Sequence, residues 1–219
     1  MAVSVENYLK VKEELAVTDT LLVAVSKKKP IEDILALYNL GQRDFGENYV
    51  QELLEKQPLL PADIRWHFIG HLQRNKVKYI ANLCFLIHGV DSLALLDEIN
   101  KQAIRHNKII DCLLQVHIAQ EETKFGFNET ELAAVLPQLT TRKNVRVKGL
   151  MGMASFTTQE TRVREEFRQL KNCVNKFAPY FSVDNDPVVS MGMSGDYSIA
   201  VQEGSTLVRI GSLLFGTRH

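Results

Sequence analysis

The chain has 219 residues, 45 % of them apolar, enough for one domain with a full core and too few for two large ones. Lysine plus arginine equals aspartate plus glutamate at 26 each, so no long-range field gathers nucleic acid or an anionic membrane, and any anion site must be local. The opening Met1-Ala2-Val3-Ser4-Val5-Glu6 lacks the basic and apolar regions of a secretory signal, and no apolar run approaches the roughly 20 residues needed to span a bilayer. Cys84, Cys112 and Cys173 are odd in number and far apart, which suggests neither a disulfide framework nor a thiolate zinc site. The expectation is a cytoplasmic protein with reduced thiols.

The first predicted element is an amphipathic helix over Val3 to Glu14. Eight short apolar runs follow: Leu21–Val25, Asp44–Gly46, Arg65–Ile69, Cys84–Val90, Ile109–Ile118, Val145–Met151, Pro187–Ser190 and Leu207–Ile210. Helix-like segments separate them: Ile31–Leu40, Tyr49–Gln57, Arg74–Asn82, Leu93–His106, Glu129–Leu139, Thr158–Phe177 and Tyr197–Glu203. Pro30 suits a first helical position, Gly41 a C-terminal stop and Ser92 an N-cap, while Pro137 and Pro179 mark ends. Such alternation indicates βαβ units and a parallel sheet. Eight strands with seven intervening helices match a closed (β/α)8 barrel, a TIM barrel of the α/β class with an extra N-terminal helix. Nothing in composition splits residues 1–219 into two domains. Because such barrels typically have about 250 residues, the loops must be short.

Barrel strands are expected to fill their interior with apolar layers and to carry function at their C-terminal ends. The unusual polar residues fall at those ends. Lys27 follows Leu21-Leu22-Val23-Ala24-Val25-Ser26, where apolar walls would disfavour its ammonium form and free a nucleophilic amine for an aldehyde. Lys28 and Lys29 follow directly, and strand parity does not separate Lys27 from Lys29; position does, because Lys29 precedes Pro30 in the loop. A solvated three-lysine turn is the alternative. Ser194-Gly195-Asp196 opens a helix and Gly211-Ser212 follows the last strand, and both offer backbone N–H groups where barrels bind phosphate. There, Ser194 could equally be only an N-cap. A site that takes a phosphate on one side and an aldehyde at Lys27 on the other suits a cofactor that carries both groups.

An inward-facing Arg209 would donate to the pyridine nitrogen without protonating it, which leaves the ring a weaker electron sink; a surface salt bridge is the alternative. Asn48 and His67 are either ligands at the barrel mouth or satisfied polar residues. His67 and His71 lack a carboxylate to complete a metal set, so no metal is expected. No GxxxxGK[ST] or GxGxxG cradle occurs. The charges of Thr158–Phe177, among them Arg162, Arg164, Glu165, Glu166, Arg168 and Lys171, read as a solvated face.

Ala24-Val25-Ser26-Lys27-Lys28-Lys29-Pro30, Phe45-Gly46-Glu47-Asn48-Tyr49-Val50-Gln51-Glu52, Trp66-His67-Phe68-Ile69-Gly70-His71-Leu72-Gln73-Arg74-Asn75-Lys76, Thr123-Lys124-Phe125-Gly126, Ser190-Met191-Gly192-Met193-Ser194-Gly195-Asp196-Tyr197 and Val208-Arg209-Ile210-Gly211-Ser212-Leu213-Leu214-Phe215-Gly216 occur in order along the chain. Together they resemble the pyridoxal phosphate homeostasis proteins, nearly end to end. The resemblance implies a fold-type III barrel like the N-terminal domain of alanine racemase, with Lys27 as the Schiff-base lysine. It places Ser194, Gly211 and Ser212 at the phosphate, Arg209 by the pyridine nitrogen and Asn48 at the cofactor's edge. Lys28 and Ser212 stand where threonine is frequent in that family.

The chain stops at Arg218-His219, just after the eighth unit, so the second β-rich domain of the racemases is not expected. The resemblance implies a cytosolic carrier and buffer of the cofactor, affecting amino-acid and keto-acid balance. It is expected to be monomeric, with apo-enzymes as recipients and neither nucleic acid nor membrane as partner. The rival is an amino-acid racemase or lyase, for which His67, Tyr49 and Lys124 are the candidate bases. A third reading is a sugar-phosphate barrel enzyme without cofactor.

Overall fold

The computed structural model describes residues 3–120, 125–182 and 186–216. Apolar strand runs alternating with amphipathic helices give eight parallel strands: β1 Leu21–Val25, β2 Asp44–Glu47, β3 Arg65–Phe68, β4 Cys84–Val90, β5 Ile110–Val116, β6 Val145–Gly152, β7 Val188–Ser190 and β8 Leu207–Ile210. They close in sequence order into a barrel, with β1 pairing β8 over Leu21–Leu207 to Ala24–Ile210.

The helices are α1 Val5–Ala16, α2 Ile31–Asn39, α3 Val50–Lys56, α4 Val77–Ile80, α5 Leu93–Arg105, α6 Glu129–Val135, α7 Glu160–Phe177, α8 Tyr197–Gln202 and α9 Ser212–Phe215. Most expected bounds hold to within two residues, but two expected helices are broken. Arg74–Asn82 is a 3-10 turn, Arg74–Lys76, followed by the single turn α4. Glu129–Leu139 continues past α6 as a 3-10 helix over Leu136–Thr141, with Pro137 in its first turn. Proline lacks the N–H that an α-helical interior needs. Pro30 is the extended N-cap of α2, rather than its first helical residue. Ser92 caps α5 as expected, its Oγ accepting from the Leu95 N–H at 3.3 Å. The one-turn α9 after β8 has no counterpart in the predicted elements.

Strand parity divides the core in two. The outward positions Leu22, Ala24, Phe45, Trp66, Phe68 and Ile87 pack under the helices in the larger cluster. Inside the barrel, Val23, Leu86, Leu113, Met151 and Leu207 make a smaller apolar layer. The interior is not apolar throughout. Asp44, His67, His88, Gln115, Ser190 and Arg209 are buried polar residues on the strands. Every such group needs a partner, because a buried polar atom left unpaired costs about 1–3 kcal/mol.

Helix α1 packs against α9 on the outside of the barrel. The Ser4 N–H donates to Leu214 O at 2.8 Å and Asn7 Nδ2 to Leu213 O at 3.0 Å, so the first helix holds the turn that follows the last strand. No described helix is long and apolar enough to cross a membrane. Cys112 and Cys173 are buried and Cys84 is half-buried; burial pushes the Cys84 thiol up to about 12. Among the described residues, no cluster of His, Cys, Asp or Glu could hold a metal.

Candidate functional site

The C-terminal ends of the strands enclose a cavity of about 860 Å³, within the usual range for small-molecule sites. Lys27, Asn48, Ser194, Arg209, Gly211 and Ser212 all line it. Six of the seven predicted site residues, which come from four stretches of the chain, therefore share one space.

The three lysines separate clearly. Lys27 is half-buried on the cavity wall. Lys28 is exposed at φ +58 and donates its backbone N–H to Glu52 Oε2 at 2.7 Å. Lys29 turns away, its Nζ donating to Phe215 O at 2.6 Å. The left-handed Lys28 lies in the turn after β1, between Lys27 on the cavity wall and Lys29 at the Phe215 carbonyl. A solvated three-lysine turn does not describe this arrangement.

A second polar cluster lies behind the Lys27 turn. Lys56 Nζ donates to Glu47 Oε1 at 2.7 Å, to Glu52 Oε2 at 2.8 Å and to Ser26 O at 2.9 Å. Ser26 Oγ adds a bond to Glu47 Oε1 at 2.7 Å. Burial pushes the Glu47 carboxyl above its ordinary range, and Lys56 and Ser26 counter this only in part. The side chains of Glu47 and Lys56 are 0 % and 10 % exposed, so this ion pair pins the strand end that presents Lys27.

On the opposite wall, Ser194 does not cap α8; Asp196 stands at that position. Ser194 Oγ accepts from the N–H groups of Gly211 and Leu213 at 3.2 and 3.3 Å, which ties the loop after β7 to α9. The backbone N–H groups of Ser194, Gly195 and Ser212 meet no acceptor among the described residues. A Cβ built on Gly195 would meet nothing within 4 Å, so this loop borders open space. With α8 six residues long and α9 four, the loop amides and hydroxyls supply more than any helix dipole. The Asn48 Oδ1 atom is buried with no partner among the described residues. Asn48 is followed across the sheet by Gly70, where any Cβ would collide with the Asn48 carbonyl. Glycine is thus required for the close approach.

Arg209 is buried, not in a surface salt bridge. Its Nη1 donates to Ser190 Oγ at 2.6 Å and its Nη2 to Gly152 O at 3.1 Å. Burial pushes the guanidinium down to about 10, partly offset by Asp196, so it stays protonated at neutral pH. His67 is the predicted site residue that the structure does not bring to the cavity. It is 0 % exposed inside the barrel, between Asp44 and His88. Its position on β3, one residue short of the strand's end, leaves it below the mouth. Tyr49 points to a neighbouring pocket, and Lys124 lies outside the described residues.

Two features escaped the sequence reading. Glu166 of α7 belongs to no solvated face: it is buried and accepts from the Ser155 N–H at 2.6 Å and the Ser155 hydroxyl at 2.7 Å, holding the loop beside the cavity. His88 sits in the middle of an apolar strand, and nothing local marks it.

The barrel and its lysine-bearing mouth define a class that sequence comparison also reaches: the family described as alanine racemase, N-terminal domain, matches residues 4–219. A pyridoxal phosphate homeostasis protein of Aquifex aeolicus is 42 % identical over 90 % of this chain and 86 % of its own length. PipY of Synechococcus elongatus, solved with and without PLP, superposes with TM-scores of 0.87 and 0.90 at 34 % and 35 % identity, over 96 % of this chain and 99 % of its own. The alanine racemase of Bartonella henselae shares the fold at a TM-score of 0.73 and 17 % identity, over 99 % of this chain and 60 % of its own. The chain belongs to the pyridoxal phosphate homeostasis protein family.

Proposed function

We propose that this protein binds pyridoxal 5′-phosphate reversibly on Lys27 and carries or buffers it for the cell's amino-acid and keto-acid metabolism. The observation that carries the reading is that Lys27, Arg209 and the Ser194–Gly211–Ser212 wall line one cavity. The names of the relatives and the PLP-bound relative support it.

The residues fit the group. A phosphate needs several donors, and the amides of Ser194, Gly195 and Ser212, with the Ser194 and Ser212 hydroxyls, supply them. The phenolic edge of the ring needs a polar neighbour, and the unpartnered Asn48 Oδ1 is available to it. When bound, pyridoxal phosphate supplies an aldehyde that condenses with a primary amine, with loss of water. Lys27 supplies that amine from a half-buried position, within reach of water and of an incoming competitor amine. Arg209, which lines the cavity, would donate to the ring nitrogen without releasing its proton, which would favour holding the cofactor over withdrawing electrons through it. The protein acts as a monomer in the cytoplasm, and its recipients are apo-enzymes that use the same cofactor.

Titration of the purified chain with pyridoxal phosphate tests this. The protein should gain visible absorbance saturating at one equivalent, and Lys27→Ala should abolish it. Equal absorbance in wild type and Lys27→Ala would count against the reading.

A further inference from the structure

Arg209 is held from behind by a line of buried groups that cofactor binding does not itself require. Its Nη1 donates to Ser190 Oγ at 2.6 Å, and Ser190 Oγ lies 3.1 Å from His88 Nδ1. His88 Nε2 lies 2.9 Å from His67 Nδ1, and His67 Nε2 lies 3.0 Å from Asp44 Oδ1. Ser190 is on β7 and His88 on β4, strands that are not neighbours in the sheet, so this line crosses the barrel interior. At its far end Arg65 grips Asp44 with two nitrogens, Nε at 2.7 Å and Nη2.

The ends dictate where the protons sit. A guanidinium only donates and an ionised carboxylate only accepts. Asp44 must therefore take its bond from His67 Nε2–H. Burial keeps both imidazoles neutral, so His67 Nδ1 accepts from His88 Nε2–H. His88 Nδ1 then accepts from the Ser190 hydroxyl, whose oxygen accepts from Arg209. Every link runs the same way, from Arg209 towards Asp44, and the reverse direction is closed at both ends. Chains of this kind polarise one another, and removing a member leaves buried groups unpaired.

We propose that Ser190, His88, His67 and Asp44 are positioning residues that fix Arg209 as a donor into the cavity, making the site selective for an aromatic ring that presents an acceptor nitrogen. This rests on the cofactor reading given above. No member of the line other than Arg209 lines the cavity, so selectivity is exerted through Arg209 alone.

The test has an arm without ligand and an arm with it. In the ligand-free full chain, nitrogen-detected NMR should find both His67 and His88 as the Nε2–H tautomer, and pyridoxal phosphate should then move the His67 ring signals although His67 does not line the cavity. In the second arm, wild type should bind pyridoxal phosphate about tenfold more tightly than its deaza analogue, whose ring nitrogen is replaced by C–H. His88→Phe and Ser190→Ala should bring that ratio close to one, and His88→Gln, which can still donate and accept, should restore part of it. An Nδ1–H tautomer at His67, or folded His88→Phe and Ser190→Ala proteins that keep the wild-type ratio, would overturn the proposal. Failure of the wild type to bind pyridoxal phosphate at all would instead remove the cofactor reading, and this proposal with it.

Discussion

Single residues carry unequal burdens here because the buried charges come in sets. Lys56 sits between Glu47, Glu52 and the Ser26 carbonyl, so its removal strands the fully buried Glu47. Lys56→Met should cost about 3–5 kcal/mol in urea unfolding, the scale seen when one partner of a buried pair is lost. The double variant Glu47→Gln with Lys56→Met should recover part of it, and purely additive losses would show that the pair is not coupled. The histidines make a pH prediction of definite sign. Burial, above all, depresses both, with Arg65 adding to the effect at His67 and His67 and Arg209 adding to it at His88, while Asp44 opposes it at His67. The unfolded chain therefore takes up protons below its ordinary histidine range, near pH 6.5, that the native chain refuses. Stability should fall as pH drops below that point, by at most about 1.4 kcal/mol per pH unit for each histidine. His88→Gln should flatten the slope of Tm between pH 6.5 and 5. Asp44 contributes to a separate, lower window: burial alone would raise its carboxyl, but bonds from Arg65 and His67 hold it below the usual range.

The elements show how far local sequence reaches. Strands β1, β4 and β8 could be bounded correctly because apolar runs end at polar or glycine residues; the site residue Lys27 stands just past β1, Arg209, Gly211 and Ser212 stand in and just past the end of β8, and Ser194 follows β7. Where the reading failed, the deciding fact was not local. His67 is polar on a strand, but whether it reaches the mouth depends on its depth along β3, set by register with β2 and β4. His88 lies within Leu86-Ile87-His88-Gly89-Val90 and acquires meaning only through Ser190, 102 residues away across the lumen. Glu166 looks like one charge among many on α7 until the Ser155 loop folds over it. The segment Arg74–Asn82 has helical periodicity but no N-cap side chain, and it splits into two short turns. At this scale Ser194→Ala is informative, since its hydroxyl joins the loop after β7 to α9. It should weaken pyridoxal phosphate binding by about tenfold while lowering stability by only about 1 kcal/mol, as for one lost hydrogen-bonding group. Equal affinity in calorimetry would remove Ser194 from the phosphate wall.

Across the whole molecule, the barrel links its first and last helices to the site. The cavity wall at Gly211 and Ser212 opens into α9, and α9 is bonded to Ser4 and Asn7 at the start of α1. Filling the cavity should therefore slow amide exchange at 211–215 and also at 4–8, more than in α4 or α6, which face elsewhere on the barrel. Protection confined to the loop would show that α1 is only a passive cover. Beneath the mouth, one polar line supports Arg209 and one buried ion pair supports the Lys27 turn, with Glu47 Oε2 left without a hydrogen-bond partner among the described residues. The account turns on which lysine holds the cofactor. Borohydride reduction of the loaded protein, followed by peptide mass mapping, settles it. The adduct should equal pyridoxal phosphate less water plus two hydrogens, and it should fall on Lys27 alone. An adduct on Lys28 or Lys29, or one spread over surface lysines, would contradict the account.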